Sequence, residues 1–189
     1  ILINNGAVIE PITSLEKIKL QDFEKAVRVN YLAPSLLISY CWNNLLKNRG
    51  KVINVLSGAS INAIEGWTAY CSTKAALHMI NQQTHLEGNQ HGISSIGIRP
   101  GLVDTEMQSR IRASGINHVS KIKKEDLMNS EKTGLFALWC ASNNANEFSG
   151  KMISENDQIV SAKYKAWINA HNLKSVSYTH LRAHETDYY

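Results

Sequence analysis

Lys51-Val52-Ile53-Asn54-Val55-Leu56 is short, β-branched and bounded by Gly50 and Gly58, and it reads as a strand buried within a sheet. Thr68 to about Asn89 then carries Tyr70, Lys74, Leu77, Ile80 and Leu86 on a long helix, and Ser94-Ser95-Ile96-Gly97-Ile98 follows as another strand, broken by Pro100-Gly101. A strand, a helix long enough to cross the sheet and a second strand make a βαβ unit, which requires a parallel sheet. Upstream, Ile1 to Asn4 is an apolar run of the kind buried on both faces. Gln21 to Lys47 is helical through Phe23, Val27, Leu32, Leu36, Leu37, Tyr40, Leu45 and Leu46, with Asn30-Tyr31 and Pro34 marking a kink and Gly50 expected as the C-cap glycine. Downstream, Ser130 to Ser142 predicts a helix through Leu135, Leu138 and Trp139, and a short strand around Lys151 to Ile153 closes the sheet. The fold class is therefore α/β, a doubly wound parallel sheet in one domain. In such sheets ligands lie beyond the carboxyl ends of the strands, where Asn4-Asn5, Ser57 and Pro100-Gly101 all fall.

Composition narrows the function classes. With 189 residues, 43% hydrophobic and 19% charged, the chain can bury a substantial core. The net charge of +4 is mild, and its densest basic cluster, Lys121-Ile122-Lys123-Lys124, is answered at once by Glu125 and Asp126, as in a solvated loop rather than a nucleic-acid patch. Cys41, Cys71 and Cys140 are widely spaced in apolar helical runs, which fits reduced core cysteines and no metal site. No stretch has the ~20 apolar residues of a membrane span, so the expected location is cytoplasmic. The chain opens within a buried strand, without an initiator methionine. At its other end, residues 176–189 read as an adapter-derived tail whose His180 and His184 are not ligands, leaving 1–175 as the folded part.

Tyr70 and Lys74 lie one helical turn apart on one face, where an ammonium is expected to favour the phenolate and pull the tyrosine pKa below its ordinary ~10. In reduction of a carbonyl by a nicotinamide, negative charge develops on the substrate oxygen and must be stabilised and protonated. Tyr70 suits the proton donor. Lys74 suits its partner and a donor to the nicotinamide ribose. The Ser57 hydroxyl suits holding the substrate oxygen, and the Asn30 side chain, at the helix kink, suits holding a water that resupplies protons. Each residue alone has an ordinary structural use: a helix-surface pair, a turn serine, a kink residue, a Pro-Gly turn. Their convergence at one sheet edge carries the argument.

The order Asn4-Asn5-Gly6-Ala7, Val29-Asn30, Ser57, Tyr70-x-x-x-Lys74, Pro100-Gly101-x-Val103-x-Thr105 resembles the short-chain dehydrogenase/reductase family from residue 1 to about 160. The resemblance implies a Rossmann-type sheet with Asn30, Ser57, Tyr70 and Lys74 as the catalytic four. It makes Asn5, Tyr70, Lys74, Pro100, Gly101, Val103 and Thr105 the cofactor side, with Val103 meeting the nicotinamide amide through its backbone and Thr105 near the phosphates. The family pattern places the Gly-rich phosphate loop, and the residues that choose between cofactors, upstream of Ile1. The first βαβ units are therefore expected to be missing, and the fragment alone is expected to be unstable and inactive. One departure is Asn4-Asn5-Gly6-Ala7 in place of Asn-Asn-Ala-Gly, so Ala7 is expected to tighten that turn.

A narrower likeness, through Gly66-Trp67-x-x-Tyr70-Cys71 and Asp104-Thr105-x-Met107-Gln108, is to the sepiapterin reductase and benzil reductase branch. It implies NADP, with NAD as the alternative, a small carbonyl substrate, no metal, and a homodimer or homotetramer through the two long helices. The pterin-anchoring carboxylate of sepiapterin reductases would fall at Ser154, with Glu155 and Asp157 as imperfect substitutes, which favours a ketone or vicinal diketone substrate. Oxidation of another alcohol or a sugar, and a catalytically silent nucleotide-binding relative, stand as alternatives. Gly115 to Asn129 is expected to cover the substrate.

Overall fold

The computed structural model describes residues 1–173, and the tail read as adapter-derived lies outside them. Four parallel strands, β1 (Leu2–Asn4), β2 (Lys51–Val55), β3 (Ser94–Ile98) and β4 (Met152–Ile153), stand side by side in that order. Between and after them run α1 (Leu20–Val27), α2 (Ala33–Asn48), α3 (Thr68–Gly88), α4 (Glu106–Ser114), α5 (Ser130–Ala141) and α6 (Gln158–Ala170).

Alternation along the strands sends successive side chains to opposite faces. Ile53, Ile96, Ile98 and Ile153 point to one face, against Phe136, Trp139 and Cys140 of α5 and Val160, Tyr164 and Ile168 of α6. Val52 points to the other face, where it packs with Ile93 and with Ile38 and Leu45 of α2. The sheet is thus covered by helices on both sides. Parallel pairing sets Asn4 beside Asn54, and Asn54 beside Gly97. The Asn4 amide donates to Asn54 at 2.8 Å, Asn54 donates to Asn81 of α3 at 3.1 Å, and Ser95 donates to Asn81 at 2.9 Å. Each buried amide is satisfied by its neighbours, so α3 is held in register against three strands without an apolar layer between.

Several expectations need correction. The first strand is not buried on both faces: β1 pairs only with β2, and Ile3 is 51% exposed. The kink or restart expected at Asn30-Tyr31 and Pro34 is present, as a π-helical turn, Arg28–Leu32, that joins α1 to α2 with Pro34 in the first turn of α2. The left-handed residue terminating α2 is Arg49 (φ 46°), not Gly50. Gly50 is needed for close approach instead, since a Cβ there would lie 2.6 Å from the Leu45 side chain. Ala7 does not tighten its turn: neither it nor Gly6 has left-handed backbone, and the Ala7 methyl packs against the cluster of Ile9, Trp67 and Tyr70.

Candidate active site

The carboxyl ends of all four strands open into one cavity of about 700 Å³. Asn5, Gly6 and Ala7 follow β1, Leu56, Ser57 and Gly58 follow β2, Arg99 to Val103 follow β3, and Ser154 and Asn156 follow β4. Strands that stop at a common level make such a crevice, because each chain must turn aside there to enter its helix or loop.

Ser57 caps a short 3₁₀ turn. Its hydroxyl accepts from the Ala59 N–H at 3.2 Å, and the Ser60 hydroxyl returns a bond to the Ser57 N–H at 3.3 Å. This reciprocal pair fixes the Ser57 side chain at the wall of the cavity that Tyr70 also lines, and the nearby serine hydroxyl favours the phenolate. Tyr70 begins α3 and meets Trp67 edge to face, with ring centroids 5.6 Å apart. One turn on, Lys74 is 2% exposed, donates to the Val55 carbonyl at 2.7 Å and has its Nζ 5.7 Å from the Tyr70 ring centre.

The expected acidification of Tyr70 is not found. Burial pushes the phenol up to about 12, only partly opposed by the nearby Ser57 hydroxyl, and burial brings the Lys74 amine down to about 8. Burial governs both groups because both lie inside the protein wall. A phenol so placed keeps its proton throughout the neutral range and is held as a donor.

Asn30 is not on the cavity wall. Its carbonyl accepts from the Val8 N–H at 2.8 Å, and its amide donates to the Val8 carbonyl at 2.8 Å and to Thr73 Oγ1 at 3.1 Å. Through these bonds it ties the segment after β1 to the π turn and to α3.

On the far rim, Pro100, Gly101, Val103 and Thr105 line the cavity as expected. Gly101 has φ +78°, a conformation that favours glycine. The segment is pinned by Met128, whose N–H donates to Leu102 O at 2.8 Å and whose carbonyl accepts from the Asp104 N–H at 2.9 Å. Thr105 is the N-cap of α4.

The cavity is also lined by residues to which the sequence reading assigned no role, Ile9, Trp67, Leu102, Met107, Gln108 and Ile111, and all of these but Gln108 belong to the apolar cluster around Tyr70. A signal for them existed, since Thr105 followed three residues later by Gln108 is a helix-start pattern, and Met107 and Ile111 fall on one helical face. Residues 115–129 do not line the cavity. Val119 packs behind Trp67, and Asn117 donates to the Glu65 carbonyl at 2.8 Å, so this segment backs the wall.

Neither acidic candidate after β4 faces the cavity. Glu155 pairs with Lys132 at 2.8 Å, and Asp157 accepts from the Ser154 N–H at 2.7 Å and pairs with Arg99 at 3.5 Å. Among the described residues no cluster of His, Cys, Asp or Glu is placed to hold a metal ion, the three cysteines are unbridged, and no helix is long and apolar enough to cross a membrane.

Residues 1–115 match the family model for short chain dehydrogenase, and the chain belongs to that family. It is 34% identical over 130 residues to a benzil reductase ((S)-benzoin forming) of Bacillus subtilis, a match covering 65% of this chain and 54% of that protein. It is 35% identical over 135 residues to the corresponding enzyme of Bacillus cereus, covering 69% and 51%. The chain thus spans about half the length of the curated relatives it matches. Its fold superposes on the crystal structure of the short chain dehydrogenase/reductase YIR035C from Saccharomyces cerevisiae with a TM-score of 0.75 at 26% identity, covering 85% of this chain and 67% of that one.

Proposed function

We propose that the whole protein is an NAD(P)H-dependent carbonyl reductase acting on a ketone or vicinal diketone, with Tyr70 as general acid. The observation that carries this reading is the convergence of Ser57, Tyr70 and Lys74 on one cavity at the carboxyl ends of the strands, with the Lys74 amine buried one turn from the phenol. A reduced nicotinamide, when bound, supplies the hydride to the carbonyl carbon. Asn5, Pro100, Gly101, Val103 and Thr105 would hold that group. They fit it in that Gly6 among them leaves open space where a Cβ would stand, and the backbone of the β3 exit is pinned at the rim.

The chain's own part follows from charge. As the C=O electron pair collects on oxygen, the Ser57 and Tyr70 hydroxyls donate to it, and the Tyr70 proton completes the new O–H bond. The tyrosinate left behind lies beside Lys74, whose protonated form compensates it. The apolar lining around Tyr70 suits an aryl or alkyl ketone better than a sugar, and the absence of Glu155 and Asp157 from the cavity supports a benzil-type rather than a pterin substrate. NADP is the proposed cofactor, to be tested by turnover with NADPH against NADH. A homodimer or homotetramer is proposed on the outward apolar side chains of α2 and α3, Leu36, Leu37, Tyr40, Met79 and Leu86, and a cytoplasmic location on the three free thiols.

Replacing Tyr70 by Phe in the complete protein removes the proton and keeps the ring. Turnover of a diketone is expected to fall about 10²–10⁴-fold with cofactor affinity unchanged, as in loss of a general acid. Unchanged turnover would refute the assignment.

A further inference from the structure

Gln108 stands in the first turn of α4, three residues after the N-cap Thr105, in the pattern of a reciprocal capping box. The box is not formed, because the Thr105 side chain makes no capping hydrogen bond. The Gln108 side chain is instead turned into the protein: it is 4% exposed, lines the cavity, and its Oε1 has no hydrogen-bond partner. On the same wall the Trp67 indole N–H is also buried without a partner. Buried polar atoms are as a rule satisfied, and a glutamine that forgoes an available cap to leave its side-chain oxygen unmet beside a cavity is short of a partner there. Met107 and Ile111, either side of Gln108 in sequence, pack in one cluster with Trp67 and Tyr70, which sets the amide in the neighbourhood of the reacting carbonyl.

We infer that Gln108 is a specificity-determining residue that hydrogen-bonds the second oxygen of a vicinally dioxygenated substrate, the one that is not reduced. This rests on the carbonyl reductase reading, in which Tyr70 and Ser57 take the reacting oxygen. An amide serves both members of that class: with its carbonyl toward the cavity it accepts from the hydroxyl of an α-hydroxyketone, and turned by half a revolution it donates to the second carbonyl of a diketone. A monoketone of the same size leaves the amide unmet. Sites built to hydrogen-bond a polar substituent discriminate strongly against analogues lacking it, because the buried site group is then unpaired.

The test compares benzil with deoxybenzoin, in which one carbonyl is replaced by CH₂, as substrates of the complete protein with NADPH, in the unmodified form and in Gln108→Leu and Gln108→Met. The intrinsic difference in electrophilicity between the two ketones cancels when the change in their kcat/KM ratio is compared across variants. The ratio is expected to fall by about tenfold or more in both variants, through benzil, with deoxybenzoin turnover nearly unchanged. Retained deoxybenzoin turnover also reports a folded site. An unchanged ratio would overturn the inference, and so would an equal fall on both ketones, which marks a structural role. If the unmodified protein reduces neither ketone, the carbonyl reductase reading itself fails, and this inference with it.

Discussion

The behaviour of Tyr70 and Lys74 turns on burial more than on their mutual attraction. Lys74 releases its proton near about 8 when folded, against 10.5 for the ordinary side chain. Between those values the unfolded chain holds a proton that the folded chain has lost, so stability rises with pH across that window, and below it the buried charge is a standing cost of about 3 kcal/mol at most. Tyr70 acts in the opposite sense: its folded value of about 12 lies above the ordinary 10.0, so its contribution is complete below pH 10 and is lost as pH rises toward 12. Urea melts of the cofactor-free protein between pH 7 and pH 10 are therefore expected to show a rise in stability that is missing in Lys74→Met. A wild-type profile that is flat over that interval would contradict the buried-amine account.

Asn30 matters through the elements it joins. The π turn between α1 and α2 brings its side chain to the Val8 peptide and to Thr73, so one amide couples the exit of β1 to the helix that carries Tyr70 and Lys74. Asn30→Ala strands the half-buried Val8 N–H and carbonyl, and a loss of about 1–2 kcal/mol is expected. Thermal melting reads the loss directly. Activity should fall with it and recover in part when the variant is assayed well below its melting temperature, whereas a residue that touches the reacting atoms would show no such recovery. Elsewhere, α3 was legible because its burial recurs at helical spacing through Tyr70, Thr73, Lys74, Leu77, Asn81 and Thr84. Two helices went unread. In α4 the start signal at Thr105 was present but short, and in α6 the apolar residues Val160, Tyr164 and Ile168 are separated by lysines and small residues that mask the stripe.

Over the whole sheet, the two faces are closed differently, since the α2/α3 side combines the apolar cluster of Val52, Ile93, Ile38 and Leu45 with a polar network. The α5/α6 side is closed by stacked and tilted aromatics, Phe136, Trp139, Phe148 and Tyr164, while the α3 side is knitted by Asn54, Asn81 and Ser95. The edge at β1 is the exposed part of this sheet, with Ile1 and Ile3 outward and one side of the strand unpaired among the described residues. Such an edge is a template for another strand, and a lysine on it opposes that pairing. Ile3→Lys in the isolated chain is expected to lower self-association, measured by light scattering at equal concentration, with the circular dichroism of the helices kept. Equal scattering by the two forms would show that association runs through another surface, with the outward apolar residues of α2 and α3 next in line.

Local chemistry was enough to determine the four strands, their parallel sheet and the helices α2, α3 and α5, because hydrophobic period and turn residues are properties of short stretches. Three matters were decided only by tertiary packing. The phenol rose rather than fell in pKa because desolvation depends on everything that surrounds it, not on a neighbour one turn away. Asn30 became a tie between elements because its partner Val8 is close in space and remote in the helix pattern. Gln108 faced the cavity instead of capping its own helix, and that choice belongs to how α4 lies against Trp67 and Tyr70, which no spacing along a single segment encodes.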